Sequence, residues 1–230
     1  MGLANLQDTK RAILLTLKSS GSATIEELAR RLRITREGIR LQLRELQKEG
    51  WVGRTTDNPG KRLGRPVSRF NLTLAGENLF PKAYDDLAVG IFDAIADKFG
   101  PKGTTAVLAA MADARVRQLE PLVKGKSIED RLKILRGVYR KDDPFVTIDC
   151  SEGLSLIESN CPFLNVASRK PQLCSVTVSV LSRLLGRQVV RTERFQDGHG
   201  RCVFRVLADQ PVPPQQPFRA EPANLEAARL

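Results

Sequence analysis

The chain has 230 residues, 41% of them hydrophobic and 27% charged, a mixture with enough apolar surface to fold, which excludes a disordered polymer. Lys and Arg outnumber Asp and Glu by 37 to 26, and 15 basic against 7 acidic side chains fall within the first 70 residues, so +8 of the net +11 sits at one end and attracts polyanions there. No apolar run reaches the roughly 18 to 20 residues that span a bilayer, and the N-terminus lacks the basic-then-apolar pattern of a leader, so the expectation is a cytoplasmic protein without a membrane partner.

Thr9 to Leu17 carries Ile13, Leu14 and Leu17 at helical spacing, and Ser19-Ser20-Gly21-Ser22 ends that helix. Thr24 followed by Glu27 is a capping box, and Leu28 with Leu32 supplies the buried stripe of a second helix. Thr35 caps a third helix, in which Ile39, Leu43 and Leu46 turn inward before Gly50 ends it. Two short helices around a tight turn, the second opened by a Thr cap, predict a helix-turn-helix that lays its second helix in the major groove. Arg36, Arg40 and Arg44 recur every four residues beside the apolar stripe and reach one face, where phosphates or guanine edges accept them. Thr35 joins them as a candidate DNA contact at the start of that helix.

Trp51 to Gly53 and Val67 to Leu72 read as strands joined across Asp57-Asn58-Pro59-Gly60, which makes a wing. Its cationic tip offers Arg65, in a Gly-Arg-Pro step, for a narrow minor groove, and Lys61, Arg62 and Arg69 for phosphates. Thr73 opens a helix running to Phe99-Gly100 with an interruption at Pro81, and further helices are expected over 104–119 and 127–139. This middle region is the expected homodimer contact, since two half-sites give a winged helix useful affinity.

All four cysteines lie between residues 150 and 202. Cys161 precedes Pro162 in a loop after a hairpin over 146–158; Cys174 falls in the first turns of a helix over 172–185; Cys202 opens a strand to Val206 that pairs with 189–195. Zinc ribbons and fingers use close Cys pairs, which are absent, so the spacing leaves buried apolar cysteines and an iron-sulfur cluster open. Cys-x-x-Cys, Gly-rich phosphate loops and paired His ligands are also absent, which argues against a thiol-dependent enzyme. A regulator that responds to zinc or thiol oxidation is the other alternative.

Gly64-Arg65-Pro66 through Leu72-Thr73, Gly76 with Leu79-Phe80-Pro81 and Tyr84, Asn160-Cys161-Pro162 with Cys174, and Gly200-Arg201-Cys202 together resemble the SufR family over about residues 9–207. That resemblance implies a homodimeric winged-helix repressor of iron-sulfur cluster assembly genes that senses a [4Fe-4S] cluster, with Cys161, Cys174 and Cys202 as metal ligands and double-stranded promoter DNA as partner. Cys150 and His199, the only histidine, compete for the fourth position. The expected architecture is α+β: a winged helix-turn-helix domain over 1–75, dimerising helices over 76–140, an α/β cysteine-bearing sensor over 141–207, and a flexible Pro-rich tail over 208–230. No catalytic residues are expected.

Overall fold

In the computed structural model, which describes residue 3 and residues 6–57, 67–151, 153–213 and 215–221, the chain divides into two units, Met1–Ala83 and Tyr84–Leu230. The first unit starts with α1 (Asp8–Ser20) and a short strand β1 (Ser22–Ala23). The predicted capping box is present at the start of α2 (Ile25–Leu32), where the Thr24 hydroxyl accepts the Glu27 amide and the Glu27 carboxylate accepts the Thr24 amide. Arg33 ends α2 with a left-handed backbone, φ 56, and α3 (Arg36–Lys48) follows behind Thr35, whose hydroxyl accepts the Gly38 amide at 3.1 Å.

Strands β2 (Val52–Asp57) and β3 (Val67–Leu72) pair antiparallel from Val52↔Leu72 to Asp57↔Val67, and β1 joins the far edge of β3. Ile13, Leu14, Leu17, Leu28, Ile39, Leu43, Leu46 and Phe70 form the core of this unit. Burying such side chains contributes roughly 1.5–3 kcal/mol each, which is what fixes three helices against so small a sheet. The predicted helix from Thr73 is a single turn, α4 (Leu74–Glu77), after which Leu79 and Phe80 pack back on the same core. Pro81 then separates that turn from the next helix, so the interruption expected there is a unit boundary.

The second unit opens with α5 (Tyr84–Val123), broken at Gly100, whose φ of 65 and ψ of −170 leave the helical region. Pro101 follows, at the start of the second half, where a missing N–H is harmless. The gap expected between 100 and 104 is therefore only a kink. Beyond it Leu108, Ala112, Val116, Leu119 and Val123 recur at three and four residues and bury one face. Before it, Tyr84, Leu87, Ile91 and Phe99 share a face and are each more than half exposed.

Next come α6 (Ile128–Tyr139), capped by Ser127, then β4 (Thr147–Asp149), β5 (Ser155–Glu158), α7 (Leu164–Arg169), a 3-10 turn (Pro171–Cys174), α8 (Ser175–Leu185), β6 (Arg187–Glu193) and β7 (Cys202–Pro211). The strands make an antiparallel sheet in the order β4-β5-β7-β6. Leu156, Val189, Phe204 and Val206 share one core with α5, α6 and α8, so the middle helices and the cysteine region build one unit. The first half of α5 is held to α7 by polar contacts: Asn165 donates to Asp85 at 2.7 Å, Arg169 pairs with Asp86 at 2.6 Å, and Lys170 pairs with Asp93.

The tail departs from expectation. β7 continues to Pro211, the Val212 amide donates to the Gly186 carbonyl, Phe218 packs against the core, and Glu221 pairs with the buried Arg191. Prolines lower the entropy lost on ordering such a strap, and apolar anchors at Val212 and Phe218 hold it. Residues 222–230 lie outside the described residues.

Candidate nucleic-acid interface and thiol site

On α3, burial of Ile39, Leu43 and Leu46 turns Arg36, Arg40 and Arg44 to solvent, with side-chain exposures of 64%, 55% and 68%. Arg36 pairs with Glu26 of α2, and Arg40 and Arg44 share Glu37. Exposed pairs of this kind contribute at most about 1 kcal/mol, so the guanidinium groups exchange them readily for phosphate. The Thr35 hydroxyl is engaged as the helix cap. Arg69, expected on phosphate, is part-buried and bonds within the unit: its Nε donates to Ser22 Oγ at 2.9 Å and its guanidinium meets Glu27 at 3.5 Å, which ties the wing strand to α2. Lys61, Arg62 and Arg65 lie outside the described residues. Arg54, exposed on β2 and braced by Ser68 Oγ, is a wing cation that the strand pattern alone did not single out.

In the second unit three of the four cysteines meet around Arg191. Cys161 sits in a loop pinned by the buried Asp143, whose carboxylate accepts the amides of Phe145, Ser159 and Asn160 at 2.8, 2.7 and 3.1 Å. Cys174 ends the 3-10 turn just before α8, and Gln196 Nε2 donates to its sulfur at 3.2 Å. Cys202 is buried at the start of β7, opposite Glu158 of β5. Burial raises the Cys161 thiol, the Phe163 amide opposes that, and the neighbouring Cys174 raises it further. Burial pushes Cys202 up to about 11, against the Phe195 amide and Arg191.

Arg191 lies inside the unit, only 5% exposed. Burial opposes its charge, but Glu221 above all, then Cys174 and Cys202, hold it protonated. Burial also raises Glu221, while Arg191 and Arg194 pull it back. Burial and then Asp143 push Glu158 up to about 7, with Arg191 opposing. Two buried polar atoms beside the thiols, Arg191 Nε and Gln196 Oε1, have no hydrogen-bond partner among the described residues, an uncommon state for buried groups.

Cys150 is exposed and follows β4, whose Asp149 pairs with Ser155, the end of β5 farther from Cys161 and Cys202. His199 is exposed on the turn before β7, its Nδ1 3.3 Å from the Arg194 carbonyl. Cys161, Cys174 and Cys202 thus share a neighbourhood with Arg191, while Cys150 and His199 are exposed. Among the described residues no group of three or more His, Cys, Asp or Glu side chains is arranged to hold a metal ion. A cluster asks for wider spacing, because each thiolate binds a different iron. Three thiols, a buried cation and its unpartnered Nε donor are the groups that would hold such an anionic sulfur-ligated group.

Sequence reasoning missed Arg191, although strand parity points to it: Val189 faces the core, so Arg191 two residues on does too. Nothing in the sequence signalled Glu221.

The family model for winged helix-turn-helix DNA-binding domains matches residues 6–52, and the first unit has the helix order and wing strands of that fold. The chain is therefore a mixed α+β protein with an N-terminal winged helix-turn-helix domain. No curated protein matches the chain. Among solved structures, the YusO protein of Bacillus subtilis is 18% identical with a TM-score of 0.28, over 40% of this chain and 76% of that one. The adhesin competence repressor of Streptococcus pyogenes is 23% identical with a TM-score of 0.29, over 45% and 75%. PadR of Bacillus subtilis, solved with operator DNA, is 14% identical with a TM-score of 0.28, over 78% and 98%. At these TM-scores the likenesses decide nothing about function. No described helix is long and apolar enough to cross a membrane.

Proposed function

We propose that this chain is a DNA-binding transcription regulator, a homodimeric repressor of iron-sulfur cluster assembly genes acting in the cytoplasm, that senses a [4Fe-4S] cluster at Cys161, Cys174 and Cys202. The observation that carries DNA binding is the α3 face: three exposed arginines on a capped helix, within the segment matched by a DNA-binding family model. The extended apolar stripe of Tyr84, Leu87, Ile91 and Phe99 supports dimerisation, because a surface of this kind is normally covered. Cluster sensing draws its support from the three thiols around Arg191 and from the resemblance noted above.

When bound, such a group would supply an iron-dependent tie between three thiolates. The chain does the rest. Asp143 holds the Cys161 loop in place, the turn before α8 presents Cys174, and β7 presents Cys202 from the sheet. Arg191 offsets the negative charge that thiolates bring into a buried space. Joining these segments favours one arrangement of the dimer, and a differential of about 1–3 kcal/mol is enough to change operator affinity 5- to 150-fold.

The test is anaerobic purification followed by iron, sulfide and visible-absorption measurement, with promoter DNA titrated against matched holo and apo protein. Bound iron and sulfide, lost together in Cys161→Ser, Cys174→Ser and Cys202→Ser, with tighter promoter binding by the holo form, are expected. Equal affinity of the two forms would exclude sensing, and an unshifted promoter fragment at low salt would exclude DNA binding.

A further inference from the structure

A helix lying in the major groove meets phosphates, hydrogen-bonding base edges and one apolar group, the C5-methyl of thymine. The arginines of α3 answer the first two. The third has a counterpart as well. Ile39, Leu43 and Leu46 are each at most 1% exposed, whereas Leu41, on the same helix, is 50% exposed. The helical repeat sets Leu41 nearly opposite that buried stripe, on one line with Glu37, Arg44 and Lys48. Glu37 pairs with Arg40 at 3.0 Å and with Arg44 at 3.7 Å, which keeps both guanidinium groups on the face that carries Leu41. A leucine there gains nothing from water or from phosphate.

We infer that Leu41 is a specificity-determining residue: its side chain packs on the C5-methyl of a thymine in each half-site, with Arg40, Arg44 and Lys48 around it on phosphates or guanine edges. This rests on the DNA-binding reading above and adds to it the base that is read. Charge selects duplex DNA as the occupant of this face. A second copy of the chain docked on it would set Arg40, Arg44 and Lys48 against their own kind, a juxtaposition that costs free energy, whereas the groove supplies anions around its methyl groups. Cytosine, adenine and guanine present no methyl group there, so thymine is the base on which this contact removes the most apolar surface from water.

The experiment selects duplexes from a randomised pool with the anaerobically purified full chain, then replaces each thymine of the selected half-site by deoxyuridine, one at a time. Uracil keeps every hydrogen-bonding group of thymine and lacks the methyl. Each duplex is titrated with the wild type, with Leu41→Ala, which leaves the buried stripe untouched and suits a helix, and with Leu41→Met, which keeps the apolar bulk. Readouts are affinity, the slope of log affinity against log salt, and thermal unfolding.

Expected is one position at which uracil weakens wild-type binding about 4-fold, the worth of one buried methyl-sized group. At that position Leu41→Ala no longer distinguishes the two bases and Leu41→Met still does, with the same salt slope in all three proteins because no phosphate contact is lost. Uracil tolerated at every position by the wild type overturns the assignment, and so does discrimination that survives in Leu41→Ala. A pool from which no sequence is enriched, or a selected half-site without thymine, does the same. Each of these outcomes leaves DNA binding standing. A wild-type chain that shifts no duplex at low salt overturns both readings.

Discussion

A Cβ built on Gly76 would lie 2.1 Å from the backbone carbonyl oxygen of Trp51. Neither partner is the end of a flexible side chain, so Gly76→Ala must displace α4 from β2. We expect a loss of about 1–3 kcal/mol, read as a lower denaturation midpoint for the first unit. Arg33 poses the opposite case, a side chain in a left-handed backbone at the α2–α3 turn. Such a backbone costs an L-residue roughly 1–2 kcal/mol that glycine avoids, so Arg33→Gly should raise the stability of the turn measurably in hydrogen exchange of α2 and α3.

Glu27 titrates below the ordinary carboxylate range, chiefly because it accepts the Thr24 amide, with Arg69 and Arg30 adding to that. A depressed folded value means its stabilisation is complete above the unfolded value of about 4.5 and disappears as pH falls through the lower folded one. Glu27→Gln should flatten the acid side of the first unit's stability profile between about pH 5 and pH 3, a small change because the side chain is only part-buried.

Among the elements, α3 carries the sharpest expectations. Thr35→Ala removes the hydroxyl that satisfies the Gly38 amide, at about 1 kcal/mol, and frays the start of the proposed recognition helix. Arg40→Ala leaves the core untouched. It should weaken promoter binding and, where the lost contact is to a phosphate, reduce the slope of log affinity against log salt by about 1. A promoter titration at several salt concentrations checks both.

The elements of the first unit were legible because their signals are local. Thr24, Glu27 and Thr35 are caps, and Ile39, Leu43 and Leu46 are a stripe, and each acts within one or two turns. The same reading did not foresee that Arg69 also bonds within the unit, to Ser22, 47 residues away. In the second unit the strand pairing expected between residues 189–195 and 202–206 appears as 187–193 with 202–211. The strap was misread. Its five prolines in residues 208–230 suggest mobility, and only tertiary contacts of Val212, Phe218 and Glu221 with distant segments order it.

For the molecule as a whole, the apolar stripe on the first half of α5 is the feature most in need of a partner. Leu87→Glu together with Ile91→Glu places two charges on that face without touching the buried Leu108, Ala112 and Val116. Expected is a shift from dimer to monomer in sedimentation with unchanged far-ultraviolet dichroism, and loss of cooperative promoter binding. A persistent dimer would move the interface elsewhere.

The stripe-bearing half of α5 is gripped by α7, and α7 lies between Cys161 and Cys174 in the chain. The grip consists of Asp85, Asp86 and Asp93 against Asn165, Arg169 and Lys170, on the outside of the protein. Exposed charges lose most of their hold once the Debye length falls to a few ångströms, as it does near 1 M salt, whereas the thiolate–iron bonds of the proposed site would not. Ionic strength should therefore act as a clutch. Concentrated salt should release the half-helix before the Gly100 kink from α7 without breaking the thiolate–iron bonds of the proposed site.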